Sequence, residues 1–438
     1  MASPIIRVGP NQLSINDPDY YDIIYTAGYK FPVDPAYYTA VGGPVDSVFG
    51  LSDHVAHRAR RGALNHFLSK VNVHKRDQLL QNRIGTLVDR ISSQAKASED
   101  PPNLSELLGC LTVDIITEYS YGQSWHALDT KDTRSEVPLY LVLETIKSWF
   151  QVSRWLWPLQ FLFHALPFWF SNMVAPRNAK GLLRLEKLVD DLADECIDNR
   201  GKNLTSKNIH ATVFEASLKA DSSSYKLTPS AIRGDAVSVV GAGVDTTRTT
   251  LMMAVYAASV DQSIQQRLHD ELVEAFPQGF DGMTFKACER LPYLTAFIKE
   301  CLRMWPASPS VLPRKVPKEG LWCRESFIPG GTTVAMCIYL MHQVETAFPN
   351  PKTFDPARWL AEDDSTLREK YFVPFSKGPK ICLGIHLAYA ELYMTLAALF
   401  RRFNFKLHPD NSITGDWKDH IMIEVQGNLV VTVEEYDD

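Results

Sequence analysis

The stretch FSKGPKICLG, Phe375 to Gly384, places one cysteine between two glycines, directly ahead of the long apolar run IHLAYAELYMTLAALFRRF. Cys382 sits where irregular chain turns into helix. The unsatisfied amides of a helix N-terminus favour an anion, so the thiol pKa is expected to fall. Gly378 and Gly384 let the backbone approach something flat and bulky, and Phe375 supplies a ring beside it. A lone cysteine is by default core filler. The unit FxxGx(R/K)xCxG is better suited to a thiolate that reaches a metal without steric blockade.

The composition around that motif is ordinary for a globular chain. The 438 residues are 45% hydrophobic and 22% charged, a length that by itself allows about three domains. A net charge of −6 gives no electrostatic ground for nucleic acid as a partner. The cysteines, at 110, 196, 288, 301, 323, 337 and 382, are scattered and form no CxxC pair. That argues against a disulfide framework or a structural zinc site and for a reducing, cytosol-facing environment. The start shows neither signal peptide nor membrane-spanning run. The longest uncharged stretch, between Arg154 and Arg177, contains Pro158 and Pro167 and is a poor membrane span. Its aromatic part, WLWPLQFLFHALPFWF, reads as a buried helix pair broken by prolines. The alternative is a surface segment that dips into a bilayer.

Outward from the cysteine, helix dominates. PIIRVGPNQLSI alternates like a strand, then Asp17 and Pro18 suit an N-cap and a first helical turn. HVAHRARRGALNHFLS reads as a basic amphipathic helix from about His54. ELLGCLTVDIITEYSYG is a helix stopped by Gly122, and Pro138 to about Asn199 reads as several helices. Thr228 caps and Pro229 starts a long helix, apolar on most faces and so central and buried. Two glycines in its middle cost about 1 kcal/mol each relative to alanine, a local conflict of the kind that marks functional sites. PYLTAFIKECLRMWP is a helix stopped by Pro306. Val311 to Ile338 is β-rich, with a turn at Pro329-Gly330-Gly331, and Pro349 to Lys380 is mostly irregular. The fold class is mainly α with a minor β portion, and the missing βαβ rhythm argues against Rossmann and TIM arrangements.

Three further stretches carry chemistry. AGVDTT, Ala242 to Thr247, sets the acid Asp245 beside the hydroxyl of Thr246, a pair suited to proton relay. Glu300 and Arg303, at i, i+3, share one helix face, and FDPARW, Phe354 to Trp359, follows. In type and order these stretches and FSKGPKICLG resemble the cytochrome P-450 superfamily: its oxygen-activation motif, ExxR helix, FxPxRW segment and haem-binding loop. The resemblance implies one catalytic domain over 1–438, with haem b (iron protoporphyrin IX) between the long central helix and the Cys-loop helix. It makes Cys382 the axial iron ligand and Phe375, Gly378, Lys380, Gly384, Ala242 and Gly243 cofactor-binding residues. Gly243 would leave a helix notch for O2, and Asp245 and Thr246 would be catalytic. Arg358 would complete a buried network with Glu300 and Arg303. His57 and Arg61, at i, i+4, resemble the propionate-binding pair, whose first position is tryptophan in many members and often histidine in fungal ones. Arg314 resembles a further propionate-binding arginine. The sequence is similar in flavour to fungal secondary-metabolite members such as trichodiene-oxygenase-like enzymes.

The match departs at two places. Lys380 stands where the family usually has arginine, exchanging a planar fork for a point charge in the propionate contact. The opening MASPIIRVGPNQLSI resembles the first β segment of the catalytic domain, so the family's membrane anchor and an early helix are expected to be missing. The implied activity is a haem-thiolate monooxygenase inserting one oxygen atom from O2 into a hydrophobic small molecule, of terpenoid or polyketide type. Electrons would come from an NADPH-dependent flavoprotein reductase, docked on basic residues such as Arg60, Lys75, Arg76 and Lys377. Substrate contacts are expected from about Phe31 to Phe49, from the aromatic segment, near Val239 to Ala242 and from Ser308 to Leu312. The resemblance places an anchored form at the cytosolic face of the endoplasmic reticulum and this chain in soluble or peripheral contact with the membrane. The alternatives are a haem-thiolate isomerase or dehydratase working without O2, and a non-catalytic haem sensor or electron carrier.

Overall fold

Residues 4–42, 46–97, 101–129, 212–219, 226–361 and 365–436 are described by the computed structural model, with isolated positions between 166 and 194. The helices that position the site are α1 (His54–Phe67), α2 (Asp77–Ala97), α3 (Leu104–Tyr121), α4 (Pro229–Val260), α5 (Gln262–Ala275), α6 (Pro292–Met304) and α7 (Ile385–Arg402). Their ends follow local chemistry. The Thr228 side chain accepts from the Ala231 N–H and Pro229 takes the first turn of α4. Asn103 caps α3, and Gly122 closes it in the left-handed conformation at φ 77°. Asp53 caps α1 through the Ala56 N–H at 2.8 Å.

Helix α4 runs 32 residues, a span of about 48 Å at the helical rise. With α3, which is buried along almost its whole length, it forms the centre of the helical core. The two helices approach closely at one point. A Cβ on Gly243 would come within 2.7 Å of the Ile116 side chain, so a larger residue there would force Ile116 to shift.

The β portion is small. Strands β1 (Ile5–Gly9), β2 (Gln12–Ile15), β3 (Arg314–Lys315) and β6 (Thr333–Ala335) form one sheet in the order β1-β2-β6-β3, in which β2 and β6 run parallel, Gln12 opposite Thr333. Strands β4 (Leu321–Cys323) and β5 (Ser326–Ile328), β7 (Phe403–Leu407) and β10 (Val431–Glu435), and β8 (Trp417–His420) and β9 (Met422–Val425) make two-stranded ribbons. The opening stretch is therefore a hairpin rather than a single strand. Gly9-Pro10-Asn11 is turn chemistry, and it folds Ile5 back onto Ile15. A helix from Ser365 to Tyr371 interrupts the stretch expected to be irregular.

A second apolar cluster lies with the sheet, and includes Ile15, Tyr21, Tyr25, Val334, Phe348 and Val373. The chain leading into the Cys loop crosses between the two cores. Phe372 packs against both, Val373 belongs to the sheet cluster, and Phe375, Leu383 and Leu387 belong with the helical one. No helix among the described residues is long and apolar enough to cross a membrane. Most of the helices expected between Pro138 and Asn199, and most of the aromatic segment, lie outside the described residues.

Candidate functional site

Cys382 precedes α7 by three residues, and its N–H donates to the Phe375 carbonyl at 2.9 Å, closing the loop on itself. The residue is exposed, yet protein surrounds it densely enough for burial to raise its thiol pKa. Exposed surface deep among other atoms is the wall of an interior cleft. The Gly384 N–H and the Arg61 guanidinium act the other way, but desolvation outweighs them. The fall in pKa expected from the helix terminus is thus overturned for the protein alone; metal coordination itself deprotonates a thiol. A Cβ on Gly384 would meet nothing within 4 Å, so open space lies beside the loop. Gly378 has a different reason. It has φ 74°, and a Cβ there would strike the Tyr25 carbonyl at 2.5 Å, so it serves close approach to backbone rather than to a flat group. The Phe375 ring lies 5.1 Å from that of Tyr389 on α7.

Positive groups gather at one side of the cleft. Arg61 is half-buried, lies within electrostatic reach of Cys382, and makes no hydrogen bond or ion pair among the described residues. His57, one turn earlier on α1, is 1% exposed. Burial, then Lys380, Arg61, Arg314 and Arg60, hold its pKa down to about 3, so the ring is neutral. Arg314 is buried on β3 and donates to the Tyr38 hydroxyl at 2.7 Å. These residues are no solvated basic face.

Lys380 behaves differently from the expected propionate contact. Its ammonium donates to the carbonyls of Val48, Phe49 and Leu51 at 3.1, 2.9 and 2.8 Å. Those three bonds use all the donors a lysine has. Burial, with Arg314, Arg61 and Arg60, lowers its pKa to about 7. Lys380 therefore ties the Cys loop to the segment leading into α1.

The long central helix α4 is buried at Val240, Val244 and Asp245, but Ala242 is exposed. Ala242 is thus an exposed alanine mid-way along a largely buried helix. The notch assigned to Gly243 is filled by Ile116, so the accessible small surface belongs to Ala242 instead. The Thr246 hydroxyl donates to the Ala242 carbonyl at 2.8 Å. Asp245 does not bond to Thr246. Its Oδ1 accepts twice from Arg248, from Nε at 2.9 Å and from Nη2 at 2.6 Å, while Oδ2 has no partner among the described residues.

Glu300, Arg303 and Arg358 do meet. Glu300 and Arg303 are 0% exposed and joined by a two-pronged contact of 2.8 Å per bond, and Arg358 Nε reaches Glu300 Oε1 at 3.0 Å. Trp359 and the Asp355 N–H complete the carboxylate's shell. Arg303 also donates to the carbonyls of His342, Pro351 and Thr353. This cluster pins the irregular chain before the Cys loop onto α6.

Sequence reasoning missed several partners. Arg248 was visible as an acid–base pair at helical i, i+3 spacing. Tyr29, whose hydroxyl lies 2.6 Å from His57 Nδ1, and His342, which accepts from the Val373 N–H at 3.0 Å, carried no local signal. Two members of the expected docking patch fail: Arg60 is fully buried between Asp235 and Asp46, and Arg76 is buried over the ring of Tyr119, whereas Lys377 is partly exposed and paired with Asp22. Lys75 alone of the four is exposed.

The donor set fits a haem on the protein's own terms. An accessible thiol, an unpaired guanidinium, a buried imidazole and a small apolar helix surface suit a flat apolar ring with carboxylate arms and a metal at its centre. Comparison with known proteins agrees. Residues 8–426 match the family model described as Cytochrome P450. The chain is 30% identical over 436 residues to cytochrome P450 monooxygenase hkm5 of Aspergillus hancockii, covering 98% of this chain and 82% of the relative. To cytochrome P450 monooxygenase penB of Penicillium thymicola it is 30% identical, over 98% and 96%. To tryptophan 6-hydroxylase fscE of Fusarium equiseti it is 31% identical, over 92% and 78%. The mainly helical architecture with small sheets is that of a haem-thiolate enzyme, and the chain belongs to the cytochrome P450 family. Its activity is that of a monooxygenase, and the family's haem-thiolate cofactor, O2 and reductase partner come with that membership.

Proposed function

We propose that the chain inserts one oxygen atom from O2 into a hydrophobic small molecule of fungal secondary metabolism, of terpenoid or polyketide type, with electrons from an NADPH-dependent flavoprotein reductase. The carrying observation is the exposure of Cys382 inside the protein, with the unpartnered Arg61 beside it. Cys382 would hold the haem iron through its thiolate, and Arg61, Arg314 and His57 would hold the propionates. When bound, the haem supplies the O2 activation and oxygen transfer that no side chain performs.

The chain's own residues bind, orient and carry protons. Ala242, exposed on α4, would offer the bound haem a small surface. Thr246, held by the Ala242 carbonyl, keeps its oxygen lone pairs available to accept a proton. The free Oδ2 of Asp245 is the oxygen that takes up and hands on protons, while Arg248 holds Oδ1. The Glu300 network and Lys380 keep the Cys loop in place. Exposed Trp169, within the aromatic segment, supports peripheral contact with a membrane from which an apolar substrate would enter.

Reducing the purified protein and adding carbon monoxide tests the ligand. A Soret band red-shifted as thiolate ligation requires, and lost in Cys382→Ser, is expected; a histidine-type band defeats the assignment. A binding screen of terpenoids, polyketides and indoles then tests the substrate class. Indoles belong in it because one relative is named a tryptophan hydroxylase. Turnover of a peroxide without reductase or O2 would favour the isomerase reading instead.

A further inference from the structure

His57 raises a question that a tryptophan would not. An indole has one fixed N–H, whereas a neutral imidazole carries its proton on either nitrogen, and only one choice offers a donor to an anion. His57 is 1% exposed and its Nε2 makes no hydrogen bond among the described residues, although Arg61, Lys380 and Arg314 surround the ring. The other nitrogen, Nδ1, lies 2.6 Å from the hydroxyl of Tyr29.

Tyr29 reaches that position by an unusual backbone. Gly28 and Tyr29 have φ of 90° and 60°, and the second is a conformation that aromatic residues rarely adopt. The turn brings the Tyr29 ring edge-on to His57 at 5.9 Å and tilted on His54 at 5.8 Å. Left-handed backbone at a bulky residue persists only where its surroundings impose it, and here it delivers one hydroxyl to one ring nitrogen.

We propose that Tyr29 is the positioning residue of the anion site: its O–H donates to His57 Nδ1 and so fixes the tautomer that presents Nε2–H, beside Arg61, to a haem propionate carboxylate. This rests on the reading of the cation cluster as the propionate site. With a carboxylate among the cations, a bare Nε2 lone pair would face negative charge, and the Nε2–H tautomer removes that repulsion. The histidine in place of tryptophan thus needs a second residue to do what the indole does alone, much as ligand histidines need an outer partner to set their orientation.

The test is haem transfer from the holoprotein to excess apomyoglobin, in Tyr29→Phe, His57→Phe, the double variant and Arg61→Ala. Arg61→Ala and His57→Phe are expected to speed release. Tyr29→Phe is expected to speed it about tenfold, the lower end of what outer partners contribute, and to add nothing once His57 is phenylalanine. Unchanged release in Tyr29→Phe, with faster release in Arg61→Ala, overturns the role of Tyr29 and leaves the propionate site standing. An effect of Tyr29→Phe that persists without His57 also overturns it. Unchanged release in both Arg61→Ala and His57→Phe defeats the site itself. A second readout, which loss of packing would not move, is nitrogen NMR of labelled histidine in the reduced, carbon-monoxide-bound protein. His57 should be the Nε2–H tautomer in the wild type and a mixture in Tyr29→Phe; a wild-type Nδ1–H tautomer would refute the proposal.

Discussion

Arg248 grips Asp245 through a single carboxylate oxygen, with both of its bonds, 2.9 and 2.6 Å, ending on Oδ1. Both side chains are largely buried, at 13% and 7% exposure. Removing the cation in Arg248→Gln leaves a buried carboxylate uncompensated and should cost about 3 kcal/mol of stability. Adding Asp245→Asn should recover part of that loss, as a double-mutant cycle by chemical denaturation would measure. Simple additivity of the two losses would mean that the pair is energetically silent.

Lys380 occupies three carbonyls at once, and alanine there leaves Val48, Phe49 and Leu51 without their donor. In Lys380→Ala, amide exchange between residues 47 and 53 should quicken by about tenfold, the signature of a lowered local opening energy. Lys380→Arg should rescue it only in part, because a planar fork does not match three converging oxygens. Hydrogen-exchange mass spectrometry on that peptide reads both.

His342 gives stability a defined pH dependence. The Val373 N–H donates to Nε2, so Nδ1 carries the ring's proton and faces the Arg303 carbonyl at 3.2 Å. Burial, then Arg303, pushes the pKa down to about 3. Below the unfolded value the unfolded chain therefore binds a proton that the folded chain refuses. Stability falls as pH drops from about 6.5 toward 3, by about 1.4 kcal/mol per unit for this one group. Urea denaturation at pH 7.5, 6 and 5 should show a slope in wild type that is one proton shallower in His342→Gln.

Glu391, on α7, has the opposite sign. It is 1% exposed, Oε2 has no partner among the described residues, and burial raises its pKa well above the ordinary carboxylate value. The folded state keeps the proton that the unfolded state releases, so this group's contribution is full below about pH 4 and declines as pH rises. Glu391→Gln should therefore gain on wild type between pH 5 and pH 8 in thermal denaturation. A difference that does not vary with pH would show the carboxyl to be ionised in the fold.

The sequence made the helical frame readable because caps and breakers are local: Thr228-Pro229, Gly122 and Pro306 each act within a turn of the end they define. The motif residues at Glu300, Arg303 and Arg358 were legible as types, and the structure joins them. What stayed hidden depends on tertiary approach. Nothing at position 60 announces Asp235, 175 residues away, which turns an apparently solvated arginine into a buried one. Gly243 looked like a notch because its helix partner, Ile116, lies on α3. Lys380 looked like a weaker arginine because its carbonyl partners lie more than 300 positions earlier. The N-terminal hairpin was lost to its own alternating pattern, which the turn at Pro10-Asn11 interrupts.

The parallel pairing of β2 with β6 bears on how the chain is made. Gln12 meets Thr333 over 300 positions further along, so the first hairpin leaves the ribosome long before the strand that completes its sheet exists. Until then the exposed edge of β2 is a template for stray pairing, and pairings of such long sequence separation form slowly. Translation speed and chaperone supply during expression, rather than the stability of the finished enzyme, should therefore govern how much of it is recovered soluble.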